Sequence, residues 1–486
     1  MYSPERSEPK FFDLETEDPK HKCGVFGVFD PGGDVARTTF YGLYRLQHRG
    51  QESAGIATLS ENGIKFIKRM GLLRENFTEE DIDSLAGGFA AIGHTRYSNT
   101  GGSTLINSQP SIYGPTAIGQ NGNLTNAFEL RLWLNEEGAY PSTNSEGQSC
   151  SSDGEIISQT IAIAPGSKPI EKVMNACQKF EGAYTLTILM EDSLIVVRDP
   201  KGFWPLCLGK INGNGWVVAS ESTAFELIGA EYVREVNPGE VLSINSKGIE
   251  SFRLPSKGEI AECPFDWTYF RRPDSLLPDG RYAYQFRMEL GRQLARDFPV
   301  NADIIIGEKD SGTFIAHGYA EESGIPFNEG SIKDPYSKRI FIDPDPKVRE
   351  RSVNLKHSFL KPEIEGKVVA VGTDSIVRAT NSPALIKELR RLGAKRVIYI
   401  VGFPPISDPC FFGIDMAQRW ELAAFDRTVE QIREYIGADE LYYQTLRSFE
   451  LALRRSLKTF CQGCFTGIYP IPVPSERDKY ALEVTH

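Results

Sequence analysis

The chain changes texture near its middle, and that change limits what it can fold into. In the second half, apolar strands alternate with helices. Residues 281–298 read as a long amphipathic helix, 302–307 as a strand, 311–323 as a helix, 368–372 as a strand, 382–392 as a helix and 396–401 as a strand. Such alternation predicts a parallel sheet covered by helices. Ligands of these sheets bind outside the carboxyl ends of the strands, here the loops at 308–312 and 373–382. From Cys23 to about residue 255 the pattern is instead short strands broken by Gly, Asn and Ser, such as 87–95, 184–197 and 216–220. Helical patches lie between them at 127–136 and 156–164. A Pro/Ser/Gly-containing connection at 254–258 marks the expected boundary between a domain of residues 23–255 and one of residues 256–486.

Length and charge narrow the function. The 486 residues are enough for two to four domains at roughly 100–200 residues each. The net charge of −11 argues against a broad phosphate-backbone surface and so against nucleic acid as partner, while leaving room for a local cationic pocket. Eight cysteines in a chain this long are not a disulfide scaffold. No apolar run approaches the roughly 18 residues that span a bilayer. Residues 1–22 are polar and acidic, with three prolines and no apolar core, so they are not a secretory signal. These features predict a cytoplasmic protein whose first 22 residues are a disordered tail or a removable propeptide.

Cys23 heads the buried-looking strand Cys23-Gly-Val-Phe-Gly-Val-Phe29 directly after that leader. If the leader is cut after Lys22, Cys23 carries a thiol beside a free α-amine of unperturbed pKa about 7.7–8.0, which can act as its general base. Acyl transfer also needs fixed oxyanion donors, and Asn121 and Gly122 in Gln120-Asn-Gly-Asn-Leu-Thr-Asn126 could supply a side-chain amide and a backbone N–H. A substrate α-carboxylate calls for a guanidinium and its α-ammonium for an acid, roles open to Arg96 and Asp153. Each of these residues taken alone is more often a core or surface residue.

Together they carry a resemblance. Cys-Gly-Val-Phe-Gly, Arg45-Leu-Gln-His-Arg-Gly-Gln51, Gly93-His-Thr-Arg-Tyr-Ser98, Asn121-Gly-Asn-Leu-Thr-Asn126 and Ser152-Asp-Gly-Glu155 occur in the order seen in class II glutamine amidotransferases. From Cys23 to about Pro470 the chain resembles the glutamine phosphoribosylpyrophosphate amidotransferase family. The resemblance implies an N-terminal nucleophile hydrolase domain (an αββα sandwich) followed by a type I phosphoribosyltransferase domain. It implies glutamine and phosphoribosylpyrophosphate as substrates and the first step of purine synthesis as the activity. It also implies that Cys23 attacks the glutamine amide, that Asn121 and Gly122 hold the oxyanion, and that Arg96 and Asp153 grip the amino-acid end. Many members carry a propeptide, and members form homo-oligomers, dimers or tetramers.

Cys461-Gln-Gly-Cys464 alone is ambiguous among a zinc half-site, a redox pair and structural thiols. One subset of the family binds a [4Fe–4S] cluster through four cysteines, and the resemblance assigns them here to Cys263, Cys410, Cys461 and Cys464, each beside the motif that marks it. Cys150, Cys177 and Cys207 then read as ordinary core or surface thiols.

The resemblance weakens at the acceptor site. The family pattern Val-Asp-Asp-Ser-Ile-Val-Arg-Gly-Thr-Thr-Ser is Gly372-Thr-Asp-Ser-Ile-Val-Arg-Ala-Thr-Asn-Ser382 here. Asp374, Ser375, Arg378, Thr380 and Ser382 survive as phosphoribosylpyrophosphate contacts, and Asp374 as a ligand for Mg²⁺. The first acid is Thr373, the loop glycine is Ala379, and one threonine is Asn381. The pyrophosphate loop Val-Pro-Asp-Ser-Gly is Glu308-Lys-Asp-Ser-Gly312, so Glu308 places a negative charge near pyrophosphate while Lys309 favours it. The flexible-loop motif reads Lys333-Asp-Pro-Tyr-Ser-Lys-Arg339, with Lys333 and Arg339 as pyrophosphate contacts, and the family's Gly-Ile-Arg-Pro-Leu reads Gly202-Phe-Trp-Pro-Leu206. Three readings follow: an amidophosphoribosyltransferase with a softened acceptor site, a paralogue that delivers ammonia elsewhere, and a non-catalytic regulatory or scaffold homologue.

Overall fold

The computed structural model describes residues 23–98, 101–333, 357–416, 418–474 and 482. The leader 1–22 and Arg339 therefore lie outside the described residues, as does the Lys333 side chain. Strand Gly24–Phe29 runs through the middle of a seven-stranded antiparallel sheet, between Gly215–Ala219 and Ala90–Arg96. All six of its residues are buried. Alternation sends Val25 and Phe29 to one face and Phe26 and Val28 to the other.

Both faces are covered. Val25, Ile92, Leu189, Val196 and Leu242 form an apolar layer against a second, six-stranded antiparallel sheet that contains Thr116–Leu124, Gly182–Met190 and Ser193–Arg198. Phe26, Leu43 and Ile56 pack the outer face of the first sheet under helix Val35–Leu46. That helix is capped by Asp34, whose side chain accepts from the Arg37 backbone N–H at 3.0 Å. Leu134, Ile157 and Leu186 pack the second sheet under helices Ala127–Glu136 and Asp153–Ile163. The result is the four-layer αββα sandwich expected. The stretch 184–197 is not one strand but a hairpin, turned at Glu191-Asp192 with Glu191 at φ 54°. A charged pair in mid-strand would be buried without partners, so the chain turns there.

The second half holds a parallel sheet in the order Ile304–Gly307, Val368–Thr373, Arg396–Val401, Glu440–Tyr443. The last strand was not apparent in the sequence, being four residues long. Helices Ala283–Asp297 and Thr313–Ser323 share one face with Leu290, Ile315 and Tyr319, and Asn381–Arg391 and Val429–Ile436 cover the other. The first pair approaches closely because of a glycine: a Cβ at Gly318 would lie 1.8 Å from the Met288 carbonyl oxygen. Among the described residues no helix is long and apolar enough to cross a membrane.

Candidate active site

Cys23 lies immediately before strand Gly24–Phe29 and is 6% exposed. Its Sγ donates to the Tyr97 carbonyl at 3.4 Å, and its own carbonyl accepts from Arg49 Nε at 3.3 Å. The sheet packed against it presents Asn121 and Gly122 from strand Thr116–Leu124. Asn121 is buried, and among the described residues its Nδ2 amide has no hydrogen-bond partner. A buried donor left unmet costs about 1–3 kcal/mol, so this amide is suited to an incoming oxyanion. Gly122 sits at φ +142°, where a Cβ would lie 2.0 Å from the Ala183 carbonyl oxygen. Only glycine lets the strand pass there.

Arg96 and Asp153 meet at the same place. Arg96 closes strand Ala90–Arg96, is buried, and donates to the Gly102 carbonyl at 3.3 Å with Glu52 3.8 Å away. Asp153 opens helix Asp153–Ile163 and accepts from Gln120 Nε2 at 2.8 Å and Leu124 N–H at 3.3 Å. Burial pushes its carboxyl up, while the Gln120 and Leu124 donors and the nearby Arg96 charge hold it back. His94 donates from Nε2 to the Gln120 carbonyl at 2.8 Å, and burial drives its pKa down to about 3, so the ring is neutral. This set can bind a zwitterionic amino-acid end and present a carboxamide to a thiol.

The loops after the parallel strands form a second cavity, lined among others by Asp374, Ser375, Arg378, Thr380 and Ser382. Asp374 accepts from Ser375 Oγ at 2.7 Å and from Ser311 Oγ. Ala379, where the family has glycine, keeps the left-handed conformation at φ 56°. Both nearby cations are already paired: Arg378 with Glu421 at 2.9 Å, and Lys309 with Glu329. Glu308 accepts from the Tyr399 hydroxyl at 2.6 Å. Strand Ser331–Lys333 pairs with His357–Phe359 and ends at Lys333, the first residue of the flexible-loop motif.

The four expected ligand cysteines line one small apolar cavity with Phe203, Trp204, Phe412 and Tyr469. None forms a disulfide. Burial and the other three thiols push the Cys464 thiol up, and Cys410 Sγ accepts the Phe412 N–H at 3.4 Å. Among the described residues no three His, Cys, Asp or Glu side chains converge as a site for a single metal ion. Cys150, Cys177 and Cys207 are buried, and burial raises the first two to about 12.

Known proteins match this arrangement along nearly its whole length. A family model described as a glutamine amidotransferase domain matches residues 94–227. An amidophosphoribosyltransferase of Synechococcus elongatus is 41% identical over 482 residues, 97% of this chain and 96% of that one. One from Archaeoglobus fulgidus is 42% identical, covering 93% of this chain and 99% of its own. The chain belongs to the amidophosphoribosyltransferase family. Among solved structures, a B. subtilis glutamine phosphoribosylpyrophosphate amidotransferase complexed with ADP and GMP is 37% identical with a TM-score of 0.86. It covers 95% of this chain and 100% of its own. A structure described as the allosteric regulatory enzyme of purine biosynthesis is 38% identical with a TM-score of 0.88, covering 95% and 99%.

Within this amidophosphoribosyltransferase architecture several supporting residues escaped the sequence reading. His48 and Arg49 stood inside a quoted motif with no role attached, yet Arg49 anchors the Cys23 carbonyl. Gln120 holds Asp153, and Tyr269 lines the acceptor cavity from a short helical turn, Asp266–Phe270, far from the strand-end loops in sequence. Only the proximity of Gln120 to Asn121 hinted at any of these.

Replacing Asn121 by Ala is expected to lower glutamine-dependent kcat about 10²–10³-fold and to leave synthesis from free ammonia unchanged, as measured by steady-state kinetics with each nitrogen source. His94 gives a stability test. Its folded pKa lies below the unfolded value of about 6.5, so the unfolded chain binds the extra proton as pH falls and stability is lost from about pH 6.5 downward. Urea unfolding at pH 7 and pH 5 is expected to show wild type losing about 2 kcal/mol more than His94→Gln across that interval; equal losses contradict a neutral buried ring.

Proposed function

We propose that the chain is a glutamine-dependent amidophosphoribosyltransferase that makes 5-phosphoribosylamine, glutamate and pyrophosphate. The observation that supports it best is that likeness at about 41% identity runs through both halves rather than the glutaminase half alone. The Cys23 thiol attacks the glutamine carboxamide carbon, and the charge that develops on the oxygen is met by the Asn121 amide and the Gly122 backbone. Ammonia leaves, and water hydrolyses the thioester to glutamate. Arg96 binds the α-carboxylate and Asp153 the α-ammonium. In the other half, ammonia displaces pyrophosphate from C1 of phosphoribosylpyrophosphate. Asp374 orients the ribose, Ser375 and the Arg378–Ser382 stretch hold the 5′-phosphate, and Lys333 and Arg339 meet pyrophosphate. Mg²⁺ would be held by Asp374 together with substrate oxygens, the usual pattern for an ion that keeps few protein ligands.

Removal of residues 1–22 frees the Cys23 amine, which takes the thiol proton. Cys263, Cys410, Cys461 and Cys464 would hold a [4Fe–4S] cluster. Four cysteines, none of them in a disulfide, lining one apolar cavity support a cluster there. When bound, it supplies a cross-link among three distant chain segments. The expected assembly is a homo-oligomer, a dimer or tetramer.

A coupled assay for pyrophosphate release that requires both glutamine and phosphoribosylpyrophosphate tests the reaction; glutamine hydrolysis without pyrophosphate release contradicts it. Cys23→Ala is expected to abolish glutamine-dependent synthesis and spare ammonia-dependent synthesis, with loss of both contradicting separable sites. Intact-mass measurement of the purified chain should show Cys23 as first residue. Protein purified without oxygen is expected to carry about four iron and four acid-labile sulfide per chain, and substitution of Cys461 by Ser should remove them; zinc instead would refute the cluster.

A further inference from the structure

The carboxylate missing at Thr373 has a counterpart one strand away. Strands Ile304–Gly307 and Val368–Thr373 pair in parallel with Gly307 opposite Gly372, so the next position, Glu308, lies beside Thr373. The Glu308 N–H donates to the Gly372 carbonyl at 2.8 Å, which fixes that register into the loop. Glu308, Thr373 and Asp374 line the same cavity.

The Glu308 carboxylate is held in place from below. Tyr399, on the strand paired with Val368–Thr373, is fully buried and donates its hydroxyl to Glu308 at 2.6 Å. The same phenol is hydrogen-bonded by the Ser382 side chain and sits within electrostatic reach of both Glu308 and Asp374. Tyr399, Glu308, Ser382 and Asp374 thus form one polar group on the cavity floor. A carboxylate that only repelled pyrophosphate would gain from turning to solvent. This one is half-buried and accepts from the hydroxyl of a fully buried tyrosine.

We infer that Glu308 replaces the absent first acid of the ribose-binding pair, so that Glu308 and Asp374, drawn from two neighbouring strands, together accept hydrogen bonds from the ribose hydroxyls of the acceptor. The inference rests on the acceptor reaction proposed above. Glu308 is then a catalytic-site residue, and Thr373 is tolerated because its neighbour carries the charge.

The test uses processed, cluster-loaded enzyme with ammonia as nitrogen donor, together with equilibrium dialysis of labelled phosphoribosylpyrophosphate. Glu308→Gln keeps the acceptor that Tyr399 needs and removes the charge. It is expected to raise the KM and the dissociation constant for phosphoribosylpyrophosphate about tenfold or more. Adding Thr373→Asp to Glu308→Gln is expected to recover most of that loss, an outcome that a merely structural role for Glu308 does not give. A Glu308→Gln variant that binds phosphoribosylpyrophosphate as well as wild type or better overturns the inference, as does a double variant that recovers nothing. Wild type that binds the compound without releasing pyrophosphate overturns the acceptor reaction, while dialysis of the variants still decides the role of Glu308. Wild type that neither binds nor turns over overturns both.

Discussion

A single buried guanidinium holds the two halves to the nucleophile. Arg49 has no exposed surface on its side chain. Its Nε donates to the Cys23 carbonyl, one Nη pairs with Glu221, and the other reaches Asp266 Oδ1 at 3.0 Å. Burial alone would push this guanidinium down, but the Asp266 and Glu221 charges more than offset it. Asp266 belongs to the second half and is shared with Arg271 at 2.7 Å, and Arg271 reaches Glu235 at 3.3 Å. Removing one member of such a buried set leaves an unpaired charge, at a cost of about 3–5 kcal/mol. Cys23 is therefore located by a charge network that closes only when both halves are folded.

The two candidate sites use polar groups in opposite ways. At the glutaminase site the strand carrying Asn121 is buried, and among the described residues the Nδ2 donor is unmet. At the acceptor site the side chains satisfy one another: Ser311 and Ser375 on Asp374, Tyr399 on Glu308, Glu421 on Arg378. In the proposed reaction the first site would meet charge that appears only as the thiol attacks, which is where fixed donors accelerate most. The second must exchange internal pairs for substrate contacts, so its binding energy is a difference between two sets of hydrogen bonds.

Much of this was legible in the sequence, for physical reasons that can be named. Period-two burial on both faces of Gly24–Phe29 and the βα alternation after residue 281 are local patterns, and they placed the strands and helices within a few residues. Arg96, Asp153, Asn121 and the four cysteines were singled out by motif identity, and the structure brings the four cysteines to one cavity. What escaped depends on register and on long-range charge. Nothing near Glu308 in sequence shows that it lies beside Thr373, or that Tyr399 rises beneath both. Nor does the Arg49 motif reveal Asp266, which is 217 residues away. The hairpin within 184–197 was missed because its apolar runs are nearly continuous, and only the Glu191-Asp192 pair interrupts them.

The departures from the family pattern share a logic once seen in place. At Trp204, where the family has arginine, the indole is fully buried, donates Nε1–H to the Phe412 carbonyl at 2.9 Å and walls the four-cysteine cavity. Phe203 stacks on Phe412 at 4.2 Å beside it. A guanidinium there would be a buried cation needing its own carboxylate. The indole needs one acceptor and adds apolar surface, leaving the cavity drier. At the acceptor site Glu308 and Thr373 exchange charge between neighbouring strands, and Ala379 accepts a left-handed backbone that costs about 1 kcal/mol more than glycine would. These changes alter side-chain chemistry at single positions within a chain whose overall fold superposes on a solved relative with a TM-score of 0.88.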